Sequence, residues 1–371
     1  MPKVWSFNTT VRNPERVQTF LRILSELEGQ NFDATTQEEF FKLQIQKRRY
    51  RPNPSTLVDR GLIDEVNRKT ADDIPNDIAE QIVDIYRRKT DADAAMRGRT
   101  AAGILNRFGL CVALESRGPV VITQLGKDWI DGNIDDQDVF LRFLLKWQYP
   151  NFIEDGYGGF NIKPFVGTLH LINKVNEKWA TLGNEAVGLS KDEFMLFVPS
   201  LSKYLEIDDV AEAIIEYRQN AHARSGRARI KYLEEYAKGR VRATFGNTKS
   251  FKLAMQDLND YRDSATKYFR VTKFFYIRGY GHLDIAPDYR LEVSRLLETD
   301  DARASTFNDY AQYFNYLSDI TLPALPWDND QDLAQKSVEL QSNCKDLAEV
   351  VKTISDEDLK RFLSSIQQDE L

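Results

Sequence analysis

Cysteine and histidine are scarce in this 371-residue sequence. It holds two cysteines, Cys111 and Cys344, and three histidines, His170, His222 and His282. None of them stands at metal-ligand spacing, which argues against a structural zinc site. Two thiols are too few for a disulfide-stapled scaffold and fit a reducing, cytoplasmic setting. Long apolar runs are missing as well. Nothing approaches the roughly 20 residues that a spanning helix needs, and Met1-Pro2-Lys3-Val4-Trp5 lacks the apolar stretch of a secretory signal. There is no P-loop and no G-x-G-x-x-G after a strand. Gly156-Tyr157-Gly158-Gly159 is a lone glycine-rich connection, and no histidine has a Ser or Cys arrangement that suggests a nucleophile. What remains is a folded chain, 42% hydrophobic, without membrane segment, metal cluster or nucleotide loop.

A net charge of −7 does not by itself suggest a polyanionic partner, but the charge is unevenly placed. Residues 218–252 carry ten Lys/Arg against two acids, and residues 328–371 carry five against eleven. The acidic end masks a basic middle, which reads either as a DNA-facing surface or as solvated helix faces.

Helical periodicity dominates. It predicts helices near residues 14–27, 37–46, 78–88, 137–146, 164–180, 191–205 and 210–219. Strands are few and cluster in two places. In the first, two helices precede the alternating strand Leu110-Cys111-Val112-Ala113-Leu114-Glu115, the turn Ser116-Arg117-Gly118-Pro119 and the returning Val120-Val121-Ile122-Thr123. Gly109 suits the end of the second helix, and Thr123 suits the N-cap of a closing one. In the second place a long helix ends at Ala265-Thr266-Lys267-Tyr268-Phe269-Arg270. A strand to Arg278, the turn Gly279-Tyr280-Gly281-His282, a return through Leu283-Asp284-Ile285 and a helix opened by Pro287 follow. Both orders are those of a winged helix, whose second helix enters the major groove. The expected fold is therefore mainly α with small β-hairpins, comprising two winged-helix-like DNA-binding modules and a helical linker region.

The DNA-contact candidates are Arg97, Arg99, Thr100, Asn106 and Arg107 on the first recognition helix, and Arg117 in the first wing. Arg224, Arg227 and Arg229 stand in the basic run, and Arg262, Thr266, Lys267, Arg270 and Arg278 at the second module. Arg can grip guanine O6/N7 and Asn can grip adenine N6/N7, while the run 218–252 suits phosphates. The same topology also serves protein–protein contacts. On that reading Phe269, Phe274, Phe275 and Cys111 are packing groups, and Arg107, Lys267 and Arg270 are solvated or pair with acids such as Asp263.

Three segments carry a resemblance. They are Phe140-Leu141-Arg142-Phe143-Leu144-Leu145-Lys146-Trp147-Gln148-Tyr149-Pro150-Asn151-Phe152, then Ala265-Thr266-Lys267-Tyr268-Phe269-Arg270, and the opening Trp5-Ser6-Phe7-Asn8-Thr9-Thr10-Val11-Arg12-Asn13-Pro14-Glu15-Arg16. In order and spacing they resemble the AlwI-like type IIS restriction endonucleases and related nicking endonucleases, over roughly residues 4–320. The resemblance implies a recognition region of winged-helix domains, a helical linker and a C-terminal PD-(D/E)xK nuclease domain. It also implies double-stranded DNA as partner, cleavage outside a short asymmetric site, and Mg²⁺ for the full-length enzyme.

Such a nuclease needs an acid two positions before a lysine on a strand. The sequence offers one such case, Asp358-Leu359-Lys360, in a polar run of helical character, where i and i+2 side chains point apart. The expectation is no catalytic residue, metal or cofactor in this chain. The nuclease would belong to a further domain or a separate subunit, and Leu371 would lie near the hand-over. The expected organisation is residues 1–150 and 151–322 as two recognition domains and 323–371 as the linker, with Pro323, Pro326 and Trp327 marking that boundary. The rival readings are a complete or partner-complemented Mg-dependent endonuclease and a non-enzymatic winged-helix regulator or scaffold.

Overall fold

A computed structural model describes residues 4–7, 11–88 and 93–327. The expected linker helices, Cys344 and the Asp358-Leu359-Lys360 triplet lie outside the described residues. The chain divides into two compact units, Met1–Pro323 and Ala324–Leu371. The first runs without a division near residue 150.

The N-terminal part is a cluster of six helices: α1 (Glu15–Ser25), α2 (Ala34–Gln46), the short α3 (Pro54–Leu57), α4 (Arg60–Asn67), α5 (Asn76–Arg87) and α6 (Ala94–Arg107). Side-chain caps fix several of their starts. Asp33 accepts from the Thr36 amide, Asp59 from Leu62 and Asp93 from Ala95, each satisfying a donor that the first turn leaves free. Phe41, Ile45, Leu57, Ile82, Val83 and Tyr86 form a core between α2 and α5. Helix α6 packs tightly on α2, and Gly98 permits it: a Cβ there would stand 1.9 Å from the Gln37 carbonyl oxygen.

A hairpin follows, β1 (Cys111–Val112) with β2 (Val121–Ile122), closed by a single 3-10 turn over Glu115–Arg117. Gly109 ends α6 at φ +69°, beside the backbone of Leu317 and Ser318, where no Cβ fits. Thr123 then caps α7 (Gln124–Ile130) by accepting from the Gly126 amide. Next come α8 (Asp136–Lys146), α9 (Pro164–Thr181) and α10 (Lys191–Phe197). A helix was expected to continue to residue 205. It stops because Pro199 has no amide hydrogen to donate, and only a 3-10 turn, Tyr204–Glu206, resumes.

Helices α11 (Ile207–His222), α12 (Gly226–Phe245) and α13 (Phe251–Val271) come next. The second hairpin, β3 (Phe275–Arg278) with β4 (His282–Ile285), pairs Phe275 with Ile285 and Arg278 with His282. Pro287 opens a 3-10 turn rather than an α-helix, ahead of α14 (Arg290–Thr299), and α15 (Tyr310–Ser318) completes the described elements. No helix among the described residues is long and apolar enough to cross a membrane.

The three segments that carry the family resemblance converge on one aromatic core. Trp5 meets Trp147 edge-on at 5.4 Å, and Phe7 meets Trp147 at 4.9 Å and Tyr268 at 4.4 Å. Phe108 stacks on Phe143 at 3.7 Å. Tyr268 donates to the Val11 carbonyl at 2.7 Å, and Arg12 grips Asp260 with both guanidinium nitrogens. Lys146, Trp147, Gln148 and Tyr149 are all buried. Lys146 donates to the carbonyls of Leu317 and Asp319, each at 2.8 Å, and the Gln148 amide brackets the Ser305 backbone. These residues pin the segment 300–319 onto α8.

Candidate nucleic-acid interface

The candidate contact residues separate by what their side chains already hold. Asn106 is a correction. It is 1% exposed. Its amide donates to the Ala102 and Ala113 carbonyls, each at 3.0 Å, and its oxygen accepts from the Ala113 amide at 2.8 Å. The bond to Ala102 stays within α6 and the two to Ala113 join the end of α6 to the strand region after it, so Asn106 splices helix to hairpin and cannot reach a base.

Arg218, counted in the basic run, is also withdrawn from the surface. It is buried, bonded to Glu193 at 2.7 and 2.8 Å and to the Gly188 carbonyl, and it lies over Trp179. Arg107 pairs with Glu154 at 2.8 Å, the carboxylate that also accepts from Tyr149. Arg278 is tied to Glu185 and to the Ala186 carbonyl, so it anchors the second hairpin. Lys267 pairs with Asp263 at 2.8 Å, as its spacing on α13 allows.

The remaining candidates face outward. Arg99 and Thr100 are exposed on α6; Arg99 has one weak partner, Gln37 at 3.3 Å, and the Thr100 hydroxyl donates back to Met96. Arg97 lies about 200° round the helix from Arg99 at the α-helical pitch and faces a different surface. It lines a cleft against α1. Arg117 sits at the tip of the first hairpin with its guanidinium 4.0 Å from the Tyr310 ring centre. On α13, Arg262, Thr266 and Arg270 fall at i, i+4 and i+8, one stripe of the helix. Arg270 is exposed, and the Thr266 hydroxyl donates to the Arg262 carbonyl.

Helix α12 is the largest basic surface and was not foreseen as a helix. Of its twenty residues only Ala237 and Val241 are buried. A tyrosine ladder attaches it to α11: Tyr217, Tyr232 and Tyr236 lie within 6.1 Å of one another, with Phe197 beneath. Burial pushes the Tyr232 and Tyr236 hydroxyls up from their ordinary values. Arg227, Lys231, Lys238 and Arg242 share the outer face and are exposed. Two are screened within the helix, Lys231 by Glu235 at 3.7 Å and Lys238 by Glu234 at 2.5 Å. Arg224 and Arg229 are exposed at its N-terminal end, Arg224 stacked 4.6 Å from the Tyr232 ring centre. The sequence offers a signal for this helix in the helical spacing of its basic residues, Arg227, Lys231, Lys238 and Arg242.

Among the described residues no group of three or more His, Cys, Asp or Glu side chains is placed to hold a metal ion. No chemical step is assigned to these residues.

The described residues form a mainly helical body with short hairpins and outward-facing arginines. The family model described as AlwI restriction endonuclease matches residues 106–371, and the chain belongs to that family. It is thereby a member of a type II restriction endonuclease family, whose partner is DNA. No curated protein matches the chain.

Proposed function

We propose that residues 4–327 serve sequence-specific recognition of double-stranded DNA, as the target-reading part of a type IIS or nicking endonuclease that cuts outside a short asymmetric site. The observation that carries this reading is α12, a twenty-residue helix with two buried residues and an outer stripe of Arg227, Lys231, Lys238 and Arg242. A helix so poorly buried contributes little to the core, and its charge suits phosphates on a duplex.

The two helix–hairpin–helix stretches, α5 to α7 and α13 to α14, act on this reading as winged-helix modules. Arg99 and Thr100 address base edges from α6, Arg262, Thr266 and Arg270 from the end of α13, and Arg117 rests on a phosphate. Arg224, Arg227 and Arg229 add backbone contacts. Arg107, Lys267 and Arg278 support these elements through their acid partners.

The test is selection from random duplexes by the purified chain at about 150 mM salt, then incubation of the selected site with Mg²⁺. A short asymmetric consensus without cleavage supports recognition by this part of the enzyme. Cleavage beside the site places catalysis in this chain. Absence of any enrichment overturns the reading in favour of a scaffold.

A further inference from the structure

A cleft of about 560 Å³ lies where α1, the end of α2 and α6 meet. Its lining is cationic. Arg48 is spent on Glu65 at 2.7 Å, and Arg51 donates to Asn67 at 3.1 Å. Arg16, Arg49 and Arg97 have no acid partner among the described residues.

Two buried donors in the same cleft are also unused: the Arg97 Nε–H and the Gln44 side-chain amide nitrogen have no hydrogen-bond partner. Leaving a buried donor unmade is unfavourable, and two in one cleft point to an acceptor that arrives from outside. The arginines are held in place for it. Arg16 packs 5.2 Å from the Phe20 ring centre, and Arg97 lies 5.9 Å from that of Tyr86. Burial, and then the nearby charge of Arg49, lower the Arg16 pKa, as expected of cations crowded without a counter-charge. Glu15, at the exposed rim, is the acid that lines the cleft.

We infer that this cleft is a seat for one phosphate group, gripped by Arg16, Arg49, Arg97 and the Gln44 amide. Resting on the reading of the chain as a duplex binder, the phosphate is a phosphodiester of the DNA backbone. A phosphodiester presents two charged non-bridging oxygens on a tetrahedral phosphorus, with its ester oxygens beside them, and its acceptors are therefore not confined to one plane as those of a carboxylate are, which suits guanidiniums converging from three elements. Arg97 thus fixes register on the duplex and does not read a base.

The experiment uses the full chain in two arms. In the first, unfolding is followed in sodium phosphate and in sodium chloride of equal ionic strength. Phosphate is expected to raise Tm by about 2 °C or more, and Arg49→Gln or Arg97→Gln should abolish the rise. In the second, each variant is titrated with the selected duplex. Kd is expected to weaken about tenfold, with the slope of log K against log salt falling by about one. One methylphosphonate substitution in the duplex should weaken binding of the wild type and leave that of Arg49→Gln unchanged. Arg49 is exposed, so its variant remains informative if Arg97→Gln fails to fold. A Tm rise with unchanged duplex affinity overturns the DNA half and leaves a seat for free phosphate. No Tm rise and no loss of affinity overturns the seat. A wild type that responds to phosphate but binds no duplex keeps the seat and sinks the proposed function instead.

Discussion

Helices α6 and α12 are both rich in arginine, and they play opposite parts. In α6 eight of fourteen residues are buried, among them Gly98, Ala101, Ala102, Leu105 and Asn106. In α12 two of twenty are. The first is a core element with a narrow outward strip, and the second is a surface element stapled down by tyrosines. A basic or amide side chain in the sequence therefore means different things in the two places. Asn106 reads in the sequence as a base contact and is a backbone splice, whereas the basic run 218–252, which reads as a DNA-facing surface or as solvated helix faces, contains one exposed helix with an ordered stripe.

The sharpest way to break this contrast is to place the same methyl group on each helix. Gly98→Ala drives a Cβ against the Gln37 carbonyl, 1.9 Å away. Prising α6 from α2 is expected to cost about 3 kcal/mol or more, read from the urea midpoint. Gly239→Ala, in the middle of α12, meets nothing within 4 Å. It should stabilise by about 0.5–1 kcal/mol through helix propensity. Equal effects at the two sites would refute the division into core and surface helix.

Asn106→Ala should lose about 2–3 kcal/mol of stability, because the buried Ala113 amide is left without its acceptor. At a concentration where the variant is folded, its base preference should match that of the wild type. A relaxed preference at one base pair would return Asn106 to the interface.

Lys146 extends the comparison to a buried cation. Burial pushes its pKa down from the ordinary 10.5 to about 7, with Asp319 opposing the shift. Between those values the unfolded chain holds the proton and the folded chain releases it, so this residue's contribution to stability rises with pH across that window. The stability of the wild type relative to Lys146→Met should therefore increase from pH 7 to pH 10, by roughly 3 kcal/mol. A flat difference would show that Lys146 stays charged between its two carbonyls.

The smallest effects belong to the exposed stripe. Lys238→Ala and Arg242→Ala should change stability by less than about 0.5 kcal/mol. Each should weaken every duplex alike and lower the salt slope by about one, less for Lys238 because Glu234 already partners it. Arg99→Ala should instead relax one base position by about 1–3 kcal/mol. Identical behaviour of Arg99→Ala and Arg242→Ala on all sequences would erase the distinction between reading and gripping.

The sequence by itself determined the mainly helical class, most helix positions, the two hairpins and their order, and the Gly109 and Thr123 signals that bound the first of them. It also contained the three segments that resemble the AlwI family. These signals are local or periodic, so they survive in one dimension: a cap needs a residue three positions from its amide, and a helix face needs an apolar residue every three or four. Only the tertiary structure decided which charges reach solvent. Arg218 and Arg107 find Glu193 and Glu154 across the fold, and Trp5 and Phe7 meet Trp147, and Phe7 meets Tyr268, although more than a hundred residues separate the partners in each pair. The arginine cleft is likewise invisible in sequence, because Arg16, Arg49 and Arg97 belong to three separate parts of the chain. Partners at such separations are chosen by packing geometry, which no local pattern encodes.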